Sequence, residues 1–523
     1  MGEYKTPGVY IKEKSAFPNS VVEAETAIPV FIGLTEKALN GTDSLDFKPM
    51  KISSITEYIK YFGGAPTPQF TLSVINGEDA DKTLSVYDVT KKASLKATLT
   101  TKLYTLYYHM VMFFANGGST CYVVSIGNYN QTLADVYTDE NKETVFSNIK
   151  KVQDITMLVV PEAVNTDTCM NIYTDLLNLC DSKKYFVILD IPLKKEKKVI
   201  DKPIDTFRGA IGTNNISYAA AYYPWLETSV LSDNDITGKI LTWGEIEKFN
   251  PETFDLAPFY DKTSDIYKFM KDALSAIKKG TKTVLDKDGT TPQEVPLTKN
   301  ELSQMKNDLH NALMQNWPEY QLLAKKVKDY LNLLPPSAAM AGIYTMVDNT
   351  RGVWKAPANV SVNYVNKPSE MIDNKTQEEM NVPMDGKAVN AIRSFIGEGI
   401  KVWGARTLDG NSLDWRYINV RRTMTFLEES VKNASRAYVF ESNDANTWIN
   451  MKCMIENFLR SVWKRGGLAG ATPEDAYEVH VGLGDTMTPE DILEGIMRIT
   501  VLVAISHPAE FIEITFQQQM QKS

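Results

Sequence analysis

Two hydrophobic periods alternate between residues 103 and 192, and that alternation limits the fold more than any other feature of the chain. The segment 103–116 (LYTLYYHMVMFFAN) carries apolar residues at helical spacing and stops at Gly117-Gly118, a pair that tolerates the positive φ of a helix end. Residues 121–126 (CYVVSI), 155–160 and 185–191 (YFVILDI) are short runs apolar on both faces, with a second helical period over 167–180. A strand without a polar face must be covered on both sides, and helices between such strands supply the cover. The prediction is a parallel sheet of the doubly wound kind.

The flanks have a different character. Pro7, Gly8, Pro18 and Pro29 punctuate short β-type runs in residues 1–34, which excludes a long helix and predicts an arm followed by one or two strands, expected to join the C-terminal domain. Residues 40–102 are polar and Thr-rich, with turn signals at Gly63-Gly64 and Asn76-Gly77, and read as a small β-rich subdomain. Residues 262–334 read as two helices interrupted at 281–297, where Asp288-Gly289 marks a hairpin between Thr/Val-rich arms. Residues 380–523 mix predicted helices (388–395, 424–434, 446–465, 489–504) with strands (400–402, 417–420, 477–481). In 510–517, Phe511 and Glu513 alternate with Ile512, Ile514 and Phe516 on the opposite face. A strand of period two in that position carries unpaired backbone groups and needs a sheet edge, in its own subunit or in another. The expected fold class is therefore α/β plus α+β and multidomain. An α/β middle domain (103–360) bears the 262–334 insertion, an α+β C-terminal domain spans 380–523, and extended β arms lie at both termini.

The 523 residues include 65 Asp and Glu against 56 Lys and Arg, a formal charge of −9, which argues against a generic nucleic-acid binder. Only four His and four Cys occur, few parts for metal, thiol or imidazole chemistry. Cys121, Cys169, Cys180 and Cys453 show no CxxC spacing and read as reduced core residues. The first residues lack a secretory apolar region, and the apolar stretch 499–505 is far shorter than the ~20 residues that cross a bilayer. Gly386-Lys387 lacks the hydroxyl residue and upstream glycine of a phosphate loop, and Gly482-Leu483-Gly484 opens no βαβ unit. Ser119 near His109 could suggest a nucleophile and base, but no G-x-S-x-G context surrounds it, so a helix-closing turn beside an aromatic helix is expected. No two His stand at metal-ligand spacing, and neither a cofactor nor a metal is expected. The segment 335–360 differs from an ordinary loop. A small-residue helix leads into Arg351, Trp354, Lys355, Pro357 and Asn359, where a Trp in a Gly/Pro-bounded turn predicts a packing junction.

Several segments, taken in order, resemble the sheath proteins of contractile tails, the family found in phage tails, R-type tailocins and extracellular contractile injection systems. They are Thr6-Pro7-Gly8-Val9-Tyr10-Ile11, FFANGG (113–118) running into CYVV (121–124), and AAYYPW (220–225). RGVWKAPAN (351–359), VWGART (402–407), YINVRR (417–422) and PAEF (508–511) follow. The resemblance implies a non-enzymatic structural subunit whose middle domain has subtilisin-like topology. It implies assembly with copies of itself as a helical stack of hexameric rings around an inner tube protein. Baseplate and terminator proteins would sit at its ends, with no nucleic acid and no membrane insertion. It implies assembly in the bacterial cytoplasm into a phage tail-like particle. On this reading Thr6, Pro7, Gly8, Val9, Tyr10 and Ile11, with Phe511, Ile512, Ile514 and Phe516, are inter-subunit arms hinged near Pro18 and Pro508. Glu490, Asp491 and Glu494, on an acidic helix, face a basic tube. The readings from other classes are a serine hydrolase on the α/β domain and a monomeric adhesin or binding module.

Overall fold

The computed structural model describes residues 21–195, 198–242, 264–285 and 292–515. At its centre is a nine-stranded sheet. Its strands are β1 (Pro29–Thr35), β2 (Met50–Ile52), β3 (Cys121–Asn128), β4 (Met157–Val159) and β5 (Phe186–Asp190). They continue with β6 (Ala219–Tyr223), β7 (Val360–Ser361), β8 (Val389–Phe395) and β9 (Gly399–Val402). The spatial order is β7-β9-β8-β6-β5-β4-β1-β3-β2. The strands from β8 to β3 run parallel, while β2, β9 and β7 add antiparallel rims. Every residue of β1, β5 and β6 is buried, which is why these runs show no polar face. Helices α1 (Leu106–Ala115) and α2 (Ser337–Arg351) cover one face, and Asp139–Lys151 and Cys169–Leu179 the other. Along β1 the pleat sends Val30, Ile32 and Leu34 into one core and Phe31 into the other.

Several expectations change. Residues 29–35 do not join the C-terminal domain; an all-apolar run is stable only where both faces are covered, and it lies inside the main sheet. Only the preceding residues reach the C-terminal unit, where Ala24 N–H donates to Ser430 Oγ at 3.0 Å and Glu23 pairs with Arg465. The expected helix 388–395 is β8, because Val389 and Ile392 mimic a helical spacing in a run too short to fix the period. The main sheet therefore extends to Val402, past the expected boundary at 360. The expected strand 417–420 opens helix α3 (Ile418–Ser435). Of the expected helix 489–504 only Pro489–Leu493 forms; Gly495 at φ +73° follows, and Thr500–Val503 is a strand. Cys121, Cys169 and Cys180 are buried as expected, but Cys453 is exposed on α4 (Ala445–Lys464).

The two expected insertions are one outer unit. Residues 50–62 belong to the main sheet and its cover, whereas strands Phe70–Asn76, Ser85–Asp88 and Ala93–Leu99 pair with Leu241–Thr242 in a separate four-stranded sheet. Helices Asp265–Lys279, Lys299–Asn316 and Pro318–Leu331 pack on it around Phe70, Leu95, Leu313, Trp317 and Val327. The hairpin Thr281–Leu285 with Pro292–Pro296 is antiparallel as predicted, and its Asp288-Gly289 turn lies outside the described residues. His310, on the largely polar helix Lys299–Asn316, is buried and shares a 2.8 Å hydrogen bond with the Tyr320 hydroxyl.

The C-terminal unit packs α3 and α4 through Phe426, Leu427, Ile455, Phe458 and Leu459. Beside them Tyr477–His480 and Thr500–Val503 form a two-stranded antiparallel sheet. No described helix is long and apolar enough to cross a membrane.

Candidate assembly surfaces

In a doubly wound sheet the usual ligand crevice lies at the C-terminal strand ends where chain order reverses, here between β1 and β4. That crevice is filled by the chain itself. Glu162, in the turn after β4, accepts from Leu34 N–H with Oε2 (2.9 Å) and from Thr105 and Leu106 N–H with Oε1 (2.7 and 3.2 Å). A Cβ on Gly33 would lie 2.7 Å from Oε2, so glycine is what lets the carboxylate approach. Burial pushes its pKa up and the three N–H groups pull it down, with burial prevailing. At the end of β5, Asp190 Oδ1 accepts from Ser337 N–H at 2.8 Å, and burial pushes its carboxyl up to about 7. These carboxylates fasten the N-termini of α1 and α2 to strand ends, a structural use of acidic groups at helix starts.

The residues considered for catalysis do not meet. His109 is buried in α1, its imidazole pushed down to about 3 by burial, whereas Ser119 is exposed beyond the helix. Among the described residues no group of three or more His, Cys, Asp or Glu side chains could hold a metal ion.

The 351–359 segment leads from α2 toward the C-terminal unit. Gly352 at φ +91° closes α2, and a Cβ there would come within 2.4 Å of the Trp354 ring. Trp354 packs against the C-terminal core, lies 5.1 Å from the Arg465 guanidinium, and offers its carbonyl to Asn419 Nδ2 at 2.9 Å. Pro357 is buried, and Asn359 N–H donates to Val402 O at 2.8 Å while its Oδ1 accepts from Lys401. Arg351 and Lys355 are exposed. The strongest tie in this junction escaped sequence reading. Arg422 of α3 grips Asp348 of α2 through bonds of 2.6 and 2.9 Å, with side chains only 4% and 2% exposed. It also donates to Thr26 O and lies 4.8 Å from the Tyr344 ring centre.

Thr6, Pro7, Gly8, Val9, Tyr10, Ile11 and Phe516 lie outside the described residues. Phe511, Ile512 and Ile514 are 76%, 78% and 70% exposed, and residues 506–515 form no strand within the monomer. The two-stranded sheet carries no further strand on its outer edges among the described residues. Of the acidic trio, Asp491 is engaged internally: it caps its own short helix through Thr488 and pairs with Arg498 at 3.1 Å. The Thr488 backbone bond, followed by Arg498, lowers its pKa. Glu490 and Glu494 remain exposed.

Residues 411–519 match a family model described as the phage tail sheath C-terminal domain. The tail sheath protein of Vibrio phage KVP40 is 22% identical over 176 residues, 34% of this chain and 25% of that protein. The chain thus spans about a quarter of the length of that curated relative. Solved structures match along the whole chain. The sheath of the PVC extracellular contractile injection system, in its contracted state, is 26% identical with a TM-score of 0.58 over 99% of both chains. The helical sheath of the anti-feeding prophage, also contracted, is 26% identical with a TM-score of 0.58 over 99% of this chain and 100% of that one. The proteins this chain resembles are contractile sheath proteins of phage tails and injection systems.

Proposed function

We propose that the chain is the structural subunit of a contractile sheath, a helical stack of six-membered rings that surrounds an inner tube and contracts to drive it through a target envelope. The observation that carries this reading is the end-to-end match, at 26% identity, to sheath subunits of contractile injection particles. The parallel-strand order β3-β1-β4-β5-β6-β8 supports a subtilisin-like topology for the middle domain. Its filled ligand crevice favours a structural over a catalytic role.

The joints would be β-strand additions. Residues 3–20 and 511–519 of neighbouring copies pair with the outer edges of Tyr477–His480 and Thr500–Val503. About five backbone bonds at a net ~0.5–1.5 kcal/mol each give several kcal/mol per joint before side chains are counted. Contraction draws on interface gained in the shorter lattice, at most ~25 kcal/mol for each ~1,000 Å² of apolar surface and less after ordering costs. Glu490 and Glu494 supply the acidic face toward a basic tube, and baseplate and terminator proteins close the stack. Assembly precedes release or anchoring and takes place in the bacterial cytoplasm.

Negative-stain microscopy of the purified chain tests the reading. Tubes or rings support it; a protein that stays monomeric at every concentration and salt, with or without a co-expressed tube protein, overturns it. Labelling of any serine by a fluorophosphonate would instead favour the hydrolase.

A further inference from the structure

Pro508 is a natural place to put the hinge of an arm, yet the chain is held on both sides of it. Before it, Ser506 O accepts from Asn419 Nδ2 at 3.0 Å, and the His507 ring meets Tyr417 edge-on at 6.0 Å between centroids. After it comes Glu510, whose carboxylate takes Arg406 Nε at 3.0 and 3.2 Å, Arg406 Nη2 at 2.6 Å, Asn381 Nδ2 at 2.7 Å and the Tyr417 hydroxyl at 3.0 Å. Burial pushes the Glu510 pKa up, but the Arg406, Asn381 and Tyr417 bonds outweigh it and the net shift is downward. One residue later the chain is open, with Phe511 76% exposed.

The partners of Glu510 are themselves anchored in the main sheet. Arg406, whose side chain is 4% exposed, donates its own N–H to Asn390 Oδ1 at 2.8 Å. Asn390, on β8, returns a bond from Nδ2 to Arg406 O at 2.8 Å and reaches Ala221 O of β6 at 3.2 Å. The segment that leaves the C-terminal sheet at Val503 is therefore fastened, seven residues on, to a different domain.

We infer that Glu510 is the positioning residue of the C-terminal arm: it latches the arm's root to the parallel sheet through Arg406 and Asn390. The swinging part then begins at Phe511, and a pull from a neighbouring copy enters the main sheet through Arg406 as well as the start of α3 through Tyr417. The second half of this inference rests on the sheath reading, whereas the latch does not. Charge-assisted bonds to a carboxylate in a half-buried site are the strong kind, and several of them converge on one side chain.

Limited chymotrypsin digestion of the full unassembled chain reads the latch. E510Q should be cut after Phe511 about tenfold or more faster, with α3 and α4 cut at wild-type rates. A wild-type rate after Phe511 in E510Q overturns the latch. Should E510Q fail to fold, Y417F, which removes a single bond, decides in the same way: faster cutting confined to Phe511 supports it, and none overturns it. Assembly reads the load path. Provided the wild-type chain forms tubes, those of E510Q should lose more in urea midpoint than the unassembled monomer loses; equal losses overturn the load path. A wild-type chain that forms no tubes sinks the sheath reading and leaves the proteolysis result to stand by itself.

Discussion

The outer unit and the C-terminal unit are similar in construction, each a few helices on a small sheet, but they treat their surfaces in opposite ways. The outer unit assembles four strands and three long helices around one core and seals Trp317 and the His310–Tyr320 pair inside. Among the described residues the C-terminal unit has a sheet of two strands. Among the described residues, ten of the 25 exposed large apolar side chains lie between Leu413 and Ile514, among them Phe440, Leu493 and Phe511. Unpaired edges and exposed apolar residues are liabilities in a monomer and assets in a polymer. The family model matches residues 411–519, where that incompleteness is concentrated.

The contrast is open to a direct test by deletion. Removing residues 1–20 should leave a folded monomer and abolish tubes altogether, whereas replacing the 281–296 hairpin by a short turn should leave tube formation intact. Microscopy of both proteins decides. Normal tubes without the arm, or none without the hairpin, would undo the assignment of the two surfaces.

Next in size come two buried anchors. Arg422→Ala leaves Asp348 buried without its partner and should cost about 3–5 kcal/mol, loosening the C-terminal unit from the sheet. Trp317→Ala should cost a similar 3–5 kcal/mol by opening a cavity, but within the outer unit. Denaturant unfolding followed by exchange distinguishes them: the Trp317 variant should keep tube assembly and the Arg422 variant should lose it. Equal behaviour in assembly would mean that the two units are not functionally separate.

What the sequence disclosed follows the same division. β3 and β5 were legible because doubly covered strands show no alternating polar face, and α1 because Gly117 ends it. Trp354 was legible as an anchor because a Trp between Gly and Pro has few other uses. β8 was misread, since VNAIRSF fits two periods and only its pairing with β6 decides between them. The outer unit was divided in two because Phe70 and Leu241 meet only in the folded chain. The ties that hold the arm and the C-terminal unit, Arg406–Glu510 and Arg422–Asp348, join residues 104 and 74 positions apart and leave no local pattern.

A pH effect should be common to both units, because it arises in the sheet between them. Asp190 has its carboxyl raised from 3.8 to about 7 by burial. The native state therefore holds a proton that the unfolded chain releases. Its contribution is full below about pH 3.8 and is lost as pH rises through about 7. Asp190→Asn keeps an acceptor for Ser337 N–H and cannot ionise, so it should flatten that loss and gain on the order of a few kcal/mol at pH 8 relative to pH 4. Urea midpoints at the two pH values measure it, and an unchanged pH slope would remove Asp190 from the account.

The smallest effect on the monomer, and the most specific, belongs to the acidic trio. Glu490 and Glu494 are exposed and Asp491 is engaged by Thr488 and Arg498, so the three should not respond alike. Glu490→Lys with Glu494→Lys should leave the melting temperature nearly unchanged, as exposed charges do. It should reduce co-assembly with a basic tube, and the reduction should fade as salt rises and the Debye length falls to about 8 Å near physiological strength. Asp491→Asn should do the reverse, fraying the turn at Thr488 while leaving the outward field almost intact. Co-sedimentation of sheath with tube across a salt series separates the two outcomes. If the double reversal assembles normally at low salt, the tube is met by another face of the C-terminal unit, and the exposed apolar residues near Leu493 become the surface to mutate next.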